Sequence, residues 1–144
     1  MIIRFYYNYD LYVKIYILDI FFKNMKVLGI DDNVDITELL DTVLNGSGHE
    51  YSFVNDGKSG LEKIKENQYD VVLLDLAMPE FSGEDVLTEL NKENIMTKQK
   101  IIIFSASSNN DSEMDAFVSK YGAHAYIRKP VDVDKLLDVL DGLK

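Results

Sequence analysis

The sequence predicts an α/β fold, namely a doubly wound, five-stranded parallel sheet with helices on both faces. From Met25 onward, short apolar runs alternate with segments in which apolar residues recur at helical spacing. Two of the runs, VVLL at 71–74 and KIIIF at 100–104, are apolar at consecutive positions, as a parallel strand covered on both faces requires. Strict alternation of strand and helix favours a parallel sheet with right-handed crossovers, which place helices on both of its faces.

The predicted elements follow one another in chain order, and turn residues such as those at 31–33, 45–48 and 55–57 separate them. The five predicted strands are residues 26–30, 50–54, 71–74, 100–104 and 123–127. Each strand is followed by a helix, and Gly122 ends the fourth helix. The apolar residues that mark the buried helix faces are Ile36, Leu39, Leu40, Val43 and Leu44; Leu61 and Ile64; Val86, Leu87 and Leu90; Met114, Phe117, Val118 and Tyr121; and Val133, Leu136, Leu137 and Leu140.

Length and composition exclude several classes of protein. The chain has 144 residues, which suits one compact domain. It contains no cysteine, which excludes disulfides and thiolate metal sites and predicts a reducing, cytoplasmic location. The formal net charge of -10 argues against nucleic-acid binding through a broad basic face.

Residues 1–24 form an N-terminal extension that is expected not to belong to the domain of residues 25–144. The extension holds five of the nine tyrosines. Charged residues interrupt its apolar runs, so it is predicted to be neither a transmembrane helix nor a secretory signal, and no stable membrane insertion is expected. We interpret Met25 as the true start, with residues 1–24 either a start-site misassignment or an addition of unknown role. The alternative is an apolar extension that binds a partner or a membrane surface.

Polar residues collect at the predicted carboxyl ends of the strands, where open parallel sheets bind ligands. Asp31 and Asp32 follow the first strand, and Asp75 follows the third. Ser105 follows the fourth strand, and Lys129 lies shortly after the fifth. The sequence therefore predicts three carboxylates, a hydroxyl and an ammonium group at one edge of the sheet.

This set of residues indicates metal-dependent phosphoryl transfer. Three close carboxylates repel one another, and a divalent cation relieves that repulsion. Oxygen ligands without His or Cys favour a hard ion, and few protein ligands favour Mg²⁺. A carboxylate beside Mg²⁺ is a suitable nucleophile toward phosphorus, and Lys129 and Ser105 would supply the cation and the hydrogen-bond donor for the phosphoryl oxygens.

Four sequence blocks in the predicted order carry a family resemblance. They are Asp31 and Asp32 after VLGI, then VVLLDLAMPEFSG, IIIFSAS and YIRKP. Residues 25–143 resemble the receiver domain of two-component response regulators, which are CheY-like proteins. The resemblance implies a flavodoxin-like sheet with the strand order 2-1-3-4-5.

The resemblance also implies roles for the acidic residues. Asp75 would accept a phosphoryl group from a sensor histidine kinase or a histidine phosphotransfer protein. Asp32 would ligate Mg²⁺ directly, Asp31 would do so mainly through water, and the backbone carbonyl of Ala77 would be the third protein ligand. Because Ala77 stands where many relatives have Asn, the hydrolysis rate of the acyl phosphate is left open.

Further roles follow from the same resemblance. Ser105 would hydrogen-bond the phosphoryl group, and Lys129 would pair with it. Tyr126 would be an aromatic switch that swings inward as Ser105 moves. Lys129-Pro130 would be a cis peptide, which is accessible because a proline follows the bond, and Gly83 would allow a tight turn after Met78-Pro79.

The resulting hypothesis is a stand-alone phosphorylation switch, not an enzyme. The chain stops at Lys144, so no DNA-binding output domain is expected, and output would run through the helix 4–strand 5–helix 5 face to an unknown downstream protein. One alternative is a pseudo-receiver that only binds partners, which predicts a lost acid or lysine. The other is a haloacid-dehalogenase-type phosphatase, whose Asp-x-Asp pattern is absent around both Asp31 and Asp75. His49, His124 and residues 109–113 are expected to be structural or solvated.

Overall fold

A computed structural model describes residues 24–106 and 108–143 of the chain, and the predicted extension lies outside the described residues apart from Asn24. The strands of the sheet are β1 (Lys26–Ile30), β2 (Glu50–Val54), β3 (Val71–Asp75), β4 (Ile101–Ser105) and β5 (Ala125–Arg128). The helices are α1 (Val34–Gly46), α2 (Gly57–Glu66), α3 (Gly83–Lys92), α4 (Asp111–Tyr121) and α5 (Val133–Asp141), and a short 3-10 helix covers Ile95–Thr97.

The sheet has the predicted architecture. All four strand pairings are parallel, and the order is β2-β1-β3-β4-β5. Apolar side chains form one core cluster on each face of the sheet: α2, α3 and α4 contribute to one, and α1 and α5 to the other. The fold class predicted from the sequence, including the flavodoxin-like strand order, is confirmed.

The helices begin where a short polar side chain can satisfy an otherwise unpaired backbone N–H of the first turn. Because such caps terminate the preceding loop at a defined residue, they also set where the loops at the carboxyl edge of the sheet end. The five N-cap residues whose side chains accept these hydrogen bonds are Asn33, Asp56, Ser82, Asn110 and Asp132.

Several predicted boundaries shift by one or two residues. Both Asp75 and Ser105 are the last residues of their strands, so the strands hold them directly. Strand β5 begins at Ala125 instead of residue 123, because Gly122 adopts a left-handed conformation (φ 71°) and the Ala123 N–H donates to the Val118 carbonyl to close α4. The 3-10 helix was not predicted. The assignment of Leu39 to the buried face of its helix was wrong, since Leu39 is 46% exposed.

The aromatic ring of Tyr51 packs against the backbone of β1 at Gly29, two residues before Asp31. The Tyr51 ring from β2 lies across Gly29 of β1, where a Cβ would come within 2.7 Å of the Tyr51 ring atom that bears the hydroxyl. Tyr51 is buried, and burial raises the pKa of its hydroxyl above the usual range. Gly29 is therefore required for close packing between β1 and the Tyr51 side chain.

Candidate functional site

The three predicted carboxylates meet at the carboxyl edge of the sheet. Asp31 and Asp32 follow β1, and Asp75 ends β3, which is the neighbour of β1 in the sheet. One ligand atom from each residue lies within 4.8 Å of the others. Asp31 and Asp75 are buried, at 4% and 3% exposure, whereas Asp32 is exposed. The arrangement therefore has a buried floor and an outer acid that faces solvent.

Lys129 reaches this cluster from the end of β5, on the far side of β4. Its Nζ lies 2.6 Å from Asp31 Oδ2 and 3.3 Å from Asp75 Oδ1. On the way it passes over β4, with Nζ 5.9 Å from the centre of the Phe104 ring. The Lys129-Pro130 peptide is cis, and the Lys129 N–H donates to the Ser105 carbonyl at 2.8 Å. One lysine therefore pairs with two buried carboxylates.

Burial dominates the protonation of Asp75. The removal of the carboxyl from water raises its pKa, and the nearby Asp31 carboxylate raises it further. The Lys129 ammonium and a hydrogen bond with the Ala77 backbone act in the opposite direction without cancelling the effect of burial. Ionisation of Asp75 at this buried position therefore destabilises the folded domain when no metal ion balances the negative charge.

We expect Asp75→Asn to be more stable than the wild type at pH 7 in EDTA. Because the folded-state pKa of Asp75 lies above its unfolded value of about 3.9, the contribution of Asp75 to the stability of the wild type is lost as pH rises from roughly 4 through the folded-state pKa. The asparagine side chain of the variant does not titrate, so the difference in Tm between variant and wild type should widen with pH. Thermal melts from pH 4 to 8 measure it, with Asp138→Asn, at an exposed position of α5, as the charge-matched control. A difference independent of pH would contradict the prediction.

The donor set fits Mg²⁺. Asp31 Oδ1 accepts the Asn33 N–H at 2.9 Å, but the buried Asp31 Oδ2 accepts no hydrogen bond from the described residues. Its 2.6 Å contact with Lys129 Nζ is therefore an ion pair without aligned hydrogen-bond geometry. A cluster of three carboxylates, with no His or Cys and with a buried oxygen that lacks a hydrogen bond, suits a hard divalent cation.

The loop after β3 differs from the expectation for Gly83. The left-handed turn residue is Glu80 (φ 63°), and Gly83 is instead the first residue of α3. A Cβ on Gly83 would overlap the Asp75 carbonyl oxygen and lie 2.8 Å from the Leu76 Cα. The glycine is therefore required for close approach of α3 to the end of β3, not for a positive φ. Ala77 lies exposed in this loop, and its role as a carbonyl ligand stays a prediction.

The two predicted switch residues lie on neighbouring strands. Ser105 is buried at the end of β4 beside Lys129. Tyr126 on β5 is half-buried, and its hydroxyl donates to Asp111 Oδ1 at 3.1 Å. Arg128 Nη2 donates to the same oxygen at 2.9 Å, so β5 is bonded to the first turn of α4. The interpretation of residues 109–113 as a solvated helix start is thus incomplete for Asp111.

Sequence reasoning missed one residue beside the acidic loop. Asn55 was assigned only to the turn after β2, but its side-chain amide donates to the backbone carbonyl of Asp31 at 2.8 Å. No pattern in the sequence distinguishes this asparagine from an ordinary turn residue. His49 has a structural role, since it is buried and its Nδ1 accepts the Met25 N–H at 3.3 Å.

Among residues 24–106 and 108–143, no helix combines the length and apolar character that a bilayer crossing needs.

Comparison with known proteins identifies the family. The model of the response regulator receiver domain matches residues 27–141. The transcriptional regulatory protein ZraR of Klebsiella oxytoca is 33% identical over 114 residues, which are 79% of this chain and 25% of ZraR. The receiver domain of the Francisella response regulator 1452 is 33% identical, with a TM-score of 0.74 over 83% of this chain and 96% of that chain. TrrA of Thermotoga maritima is 31% identical, with a TM-score of 0.69 over 82% of this chain and 97% of that chain.

The chain belongs to the response regulator receiver family of two-component systems. Receiver domains interact with histidine kinases or histidine phosphotransfer proteins. The chain spans about a quarter to a half of the length of the curated relatives it matches.

Proposed function

We propose that Asp75 accepts a phosphoryl group from the phosphohistidine of a sensor histidine kinase or a histidine phosphotransfer protein. The observation that supports this most is the placement of Asp75 at the sheet edge, 3.3 Å from Lys129 Nζ and beside the carboxylates of Asp31 and Asp32. A carboxylate oxygen of Asp75 attacks phosphorus as the phosphorus–nitrogen bond breaks, and the imidazole keeps the electron pair of that bond. The acceptor must be ionised to attack, and Lys129 favours that form.

The surrounding residues position the group and balance its charge. Lys129 already contacts both Asp31 and Asp75. Its ammonium would therefore be close enough to pair with the negatively charged phosphoryl oxygens after transfer to Asp75. Ser105, at the end of the adjacent β4, would donate its hydroxyl to one of these oxygens. Little covalent work is left to the protein in such a transfer, since positioning and electrostatics supply most of the catalysis.

Asp32, Asp75 and the Ala77 carbonyl would hold Mg²⁺ directly, and Asp31 would hold it mainly through water. When bound, Mg²⁺ would offset the negative charges of the acceptor carboxylate and of the phosphoryl oxygens, which otherwise repel each other. TrrA of Thermotoga maritima was crystallised in complex with Mg²⁺ and beryllium fluoride. This complex of a similar protein supports the proposal that the present chain binds Mg²⁺ at its acidic cluster. The exposed Asp32 leaves room for water ligands, which Mg²⁺ commonly retains.

Phosphorylation would change the surface formed by α4, β5 and α5. The Tyr126 hydroxyl is bonded to Asp111 on α4, and an inward swing toward Ser105 requires that this bond break. The added charge at Asp75 would draw the Ser105 hydroxyl toward the phosphoryl group and so favour the second arrangement. The domain would then act in the cytoplasm as a protein-binding switch for an unknown downstream protein. We expect it neither to turn over a substrate nor to contact nucleic acid. That the domain signals to this protein without an additional output domain stays a prediction.

The test is intact-mass spectrometry after incubation with acetyl phosphate and Mg²⁺. We expect one phosphoryl group on the wild type, none in EDTA and none on Asp75→Asn, which keeps the shape of the side chain and removes the nucleophile. Asp138→Asn is the control for the loss of one carboxylate elsewhere, and it should be phosphorylated like the wild type. Because some receivers reject small donors, the binding of beryllium fluoride is measured alongside. A folded wild type that takes neither group would overturn the proposal in favour of a pseudo-receiver.

A further inference from the structure

Asn55 forms a bridge between the acidic loop and the first helix. Its Nδ2 donates to the Asp31 carbonyl at 2.8 Å and to Thr37 Oγ1 at 3.1 Å, so one side-chain amide contacts two elements. We propose that Asn55 is a positioning residue of the metal site, which holds the loop bearing Asp31 and Asp32 in the conformation that presents their carboxylates. This inference rests on the proposed function.

The second end of the bridge is a suitable anchor. Thr37 is fully buried in the first turns of α1. Its hydroxyl donates to the Val34 carbonyl at 2.9 Å, so its oxygen is left as an acceptor for Asn55. The amide therefore ties the Asp31 backbone to a helix whose own position is set by the apolar core.

Asp31 is restrained at several atoms, and Asn55 supplies the restraint on its carbonyl. The Asp31 N–H donates to the Val54 carbonyl at 3.3 Å, and its Oδ1 accepts the Asn33 N–H at 2.9 Å. Without Asn55 the Asp31 carbonyl would lose this hydrogen bond, and the buried Asp31 would be restrained only by the other two, which permits a larger rotation of its backbone. Rotation there moves Asp31 Oδ2 relative to Asp75.

Mg²⁺ is sensitive to such displacement because it demands near-ideal octahedral geometry. Partners outside the ligand shell typically contribute 10-fold to 100-fold to metal affinity. The Asn55 side-chain amide donates one hydrogen bond to the acidic loop and one to the helix, and neither reaches Asp75. Removal of Asn55 should therefore weaken Mg²⁺ binding, with a smaller effect on the rate of phosphoryl transfer when Mg²⁺ is saturating.

The experiment compares Asn55→Ala and Thr37→Val with the control Asn67→Ala. Asn67 is exposed, and its Nδ2 donates to the Lys63 carbonyl at 3.2 Å, so the control also loses a hydrogen bond from a side-chain amide to a backbone carbonyl. Isothermal titration with Mg²⁺ should show affinity about 10-fold weaker for Asn55→Ala, a smaller loss for Thr37→Val and wild-type affinity for the control. Mg²⁺ affinities of both bridge variants equal to that of the control would overturn the inference.

Two further measurements separate positioning from general damage. At saturating Mg²⁺ the phosphorylation rate of Asn55→Ala should recover toward the wild-type rate, whereas a rate deficit that persists, with unchanged affinity, would contradict a positioning role. Hydrogen exchange at the amides of residues 31–33 should accelerate in Asn55→Ala and not in Asn67→Ala. If the wild type binds no Mg²⁺, the proposed function fails, and hydrogen exchange alone decides whether Asn55 holds this loop.

Discussion

Replacement of Lys129 by Met is expected to destabilise the domain by about 3 kcal/mol in EDTA, because it leaves two buried carboxylates without their shared cation. The Asp31 and Asp75 side chains are only 6% and 4% exposed, and the Lys129 side chain is 13% exposed. Solvent therefore screens these contacts far less than it screens a surface pair. At roughly 4 °C per kcal/mol for a domain of this size, Tm should fall by about 12 °C.

Mg²⁺ should restore much of that stability, because a divalent ion replaces the missing positive charge among the three carboxylates. Urea unfolding with and without Mg²⁺ measures both effects. Lys98→Met serves as the control, since Lys98 is an exposed lysine and its loss changes the net charge by the same amount. The control should unfold within about 0.5 kcal/mol of the wild type. If Lys129→Met were as stable as the control in EDTA, Lys129 would not be the cation that compensates the buried acids.

Replacement of Gly83 by Ala is the second change with a large expected effect. The new Cβ would overlap the Asp75 carbonyl oxygen and lie 3.0 Å from the carbonyl carbon of the same residue. These are backbone atoms of the central strand, so they cannot turn aside as a flexible side chain can. We expect a loss of about 3 kcal/mol, in the upper range for an overpacked site.

Gly46→Ala is the matched control for this change. Gly46 ends α1 with no atom within 4 Å of an added Cβ, and alanine is the better helix former by about 1 kcal/mol. The control should therefore be as stable as the wild type or more so, which thermal melts of both variants will show. Because Gly83 contacts the residue that would be phosphorylated, Gly83→Ala should also slow phosphorylation at temperatures where it is still folded. Equal Tm values for the two alanine variants would refute the close-approach argument.

Much of the fold was predictable because its signals are local. The continuous apolar runs of β3 and β4 indicated strands covered on both faces, and both are fully buried. Boundaries were harder to predict, since the competition between Gly122, which closes α4, and the start of β5 is settled by hydrogen bonds between distant residues such as His124 and Ile101. Leu39 shows the same limit: its spacing fits the apolar face, but the tertiary packing of α1 leaves it exposed.

The sequence by itself determined the residue types at the carboxyl ends of the strands and, through alternation, the edge of the sheet at which they gather. It therefore indicated an acidic metal site with Asp75, Asp31, Asp32 and Lys129. The tertiary structure alone decided how these groups share charge: which carboxylates are buried, that one lysine pairs with two of them across β4, and that Asn55 holds the Asp31 carbonyl. The physical reason is that strand and helix signals act over a few residues, whereas burial and ion pairing depend on groups brought together from distant parts of the chain.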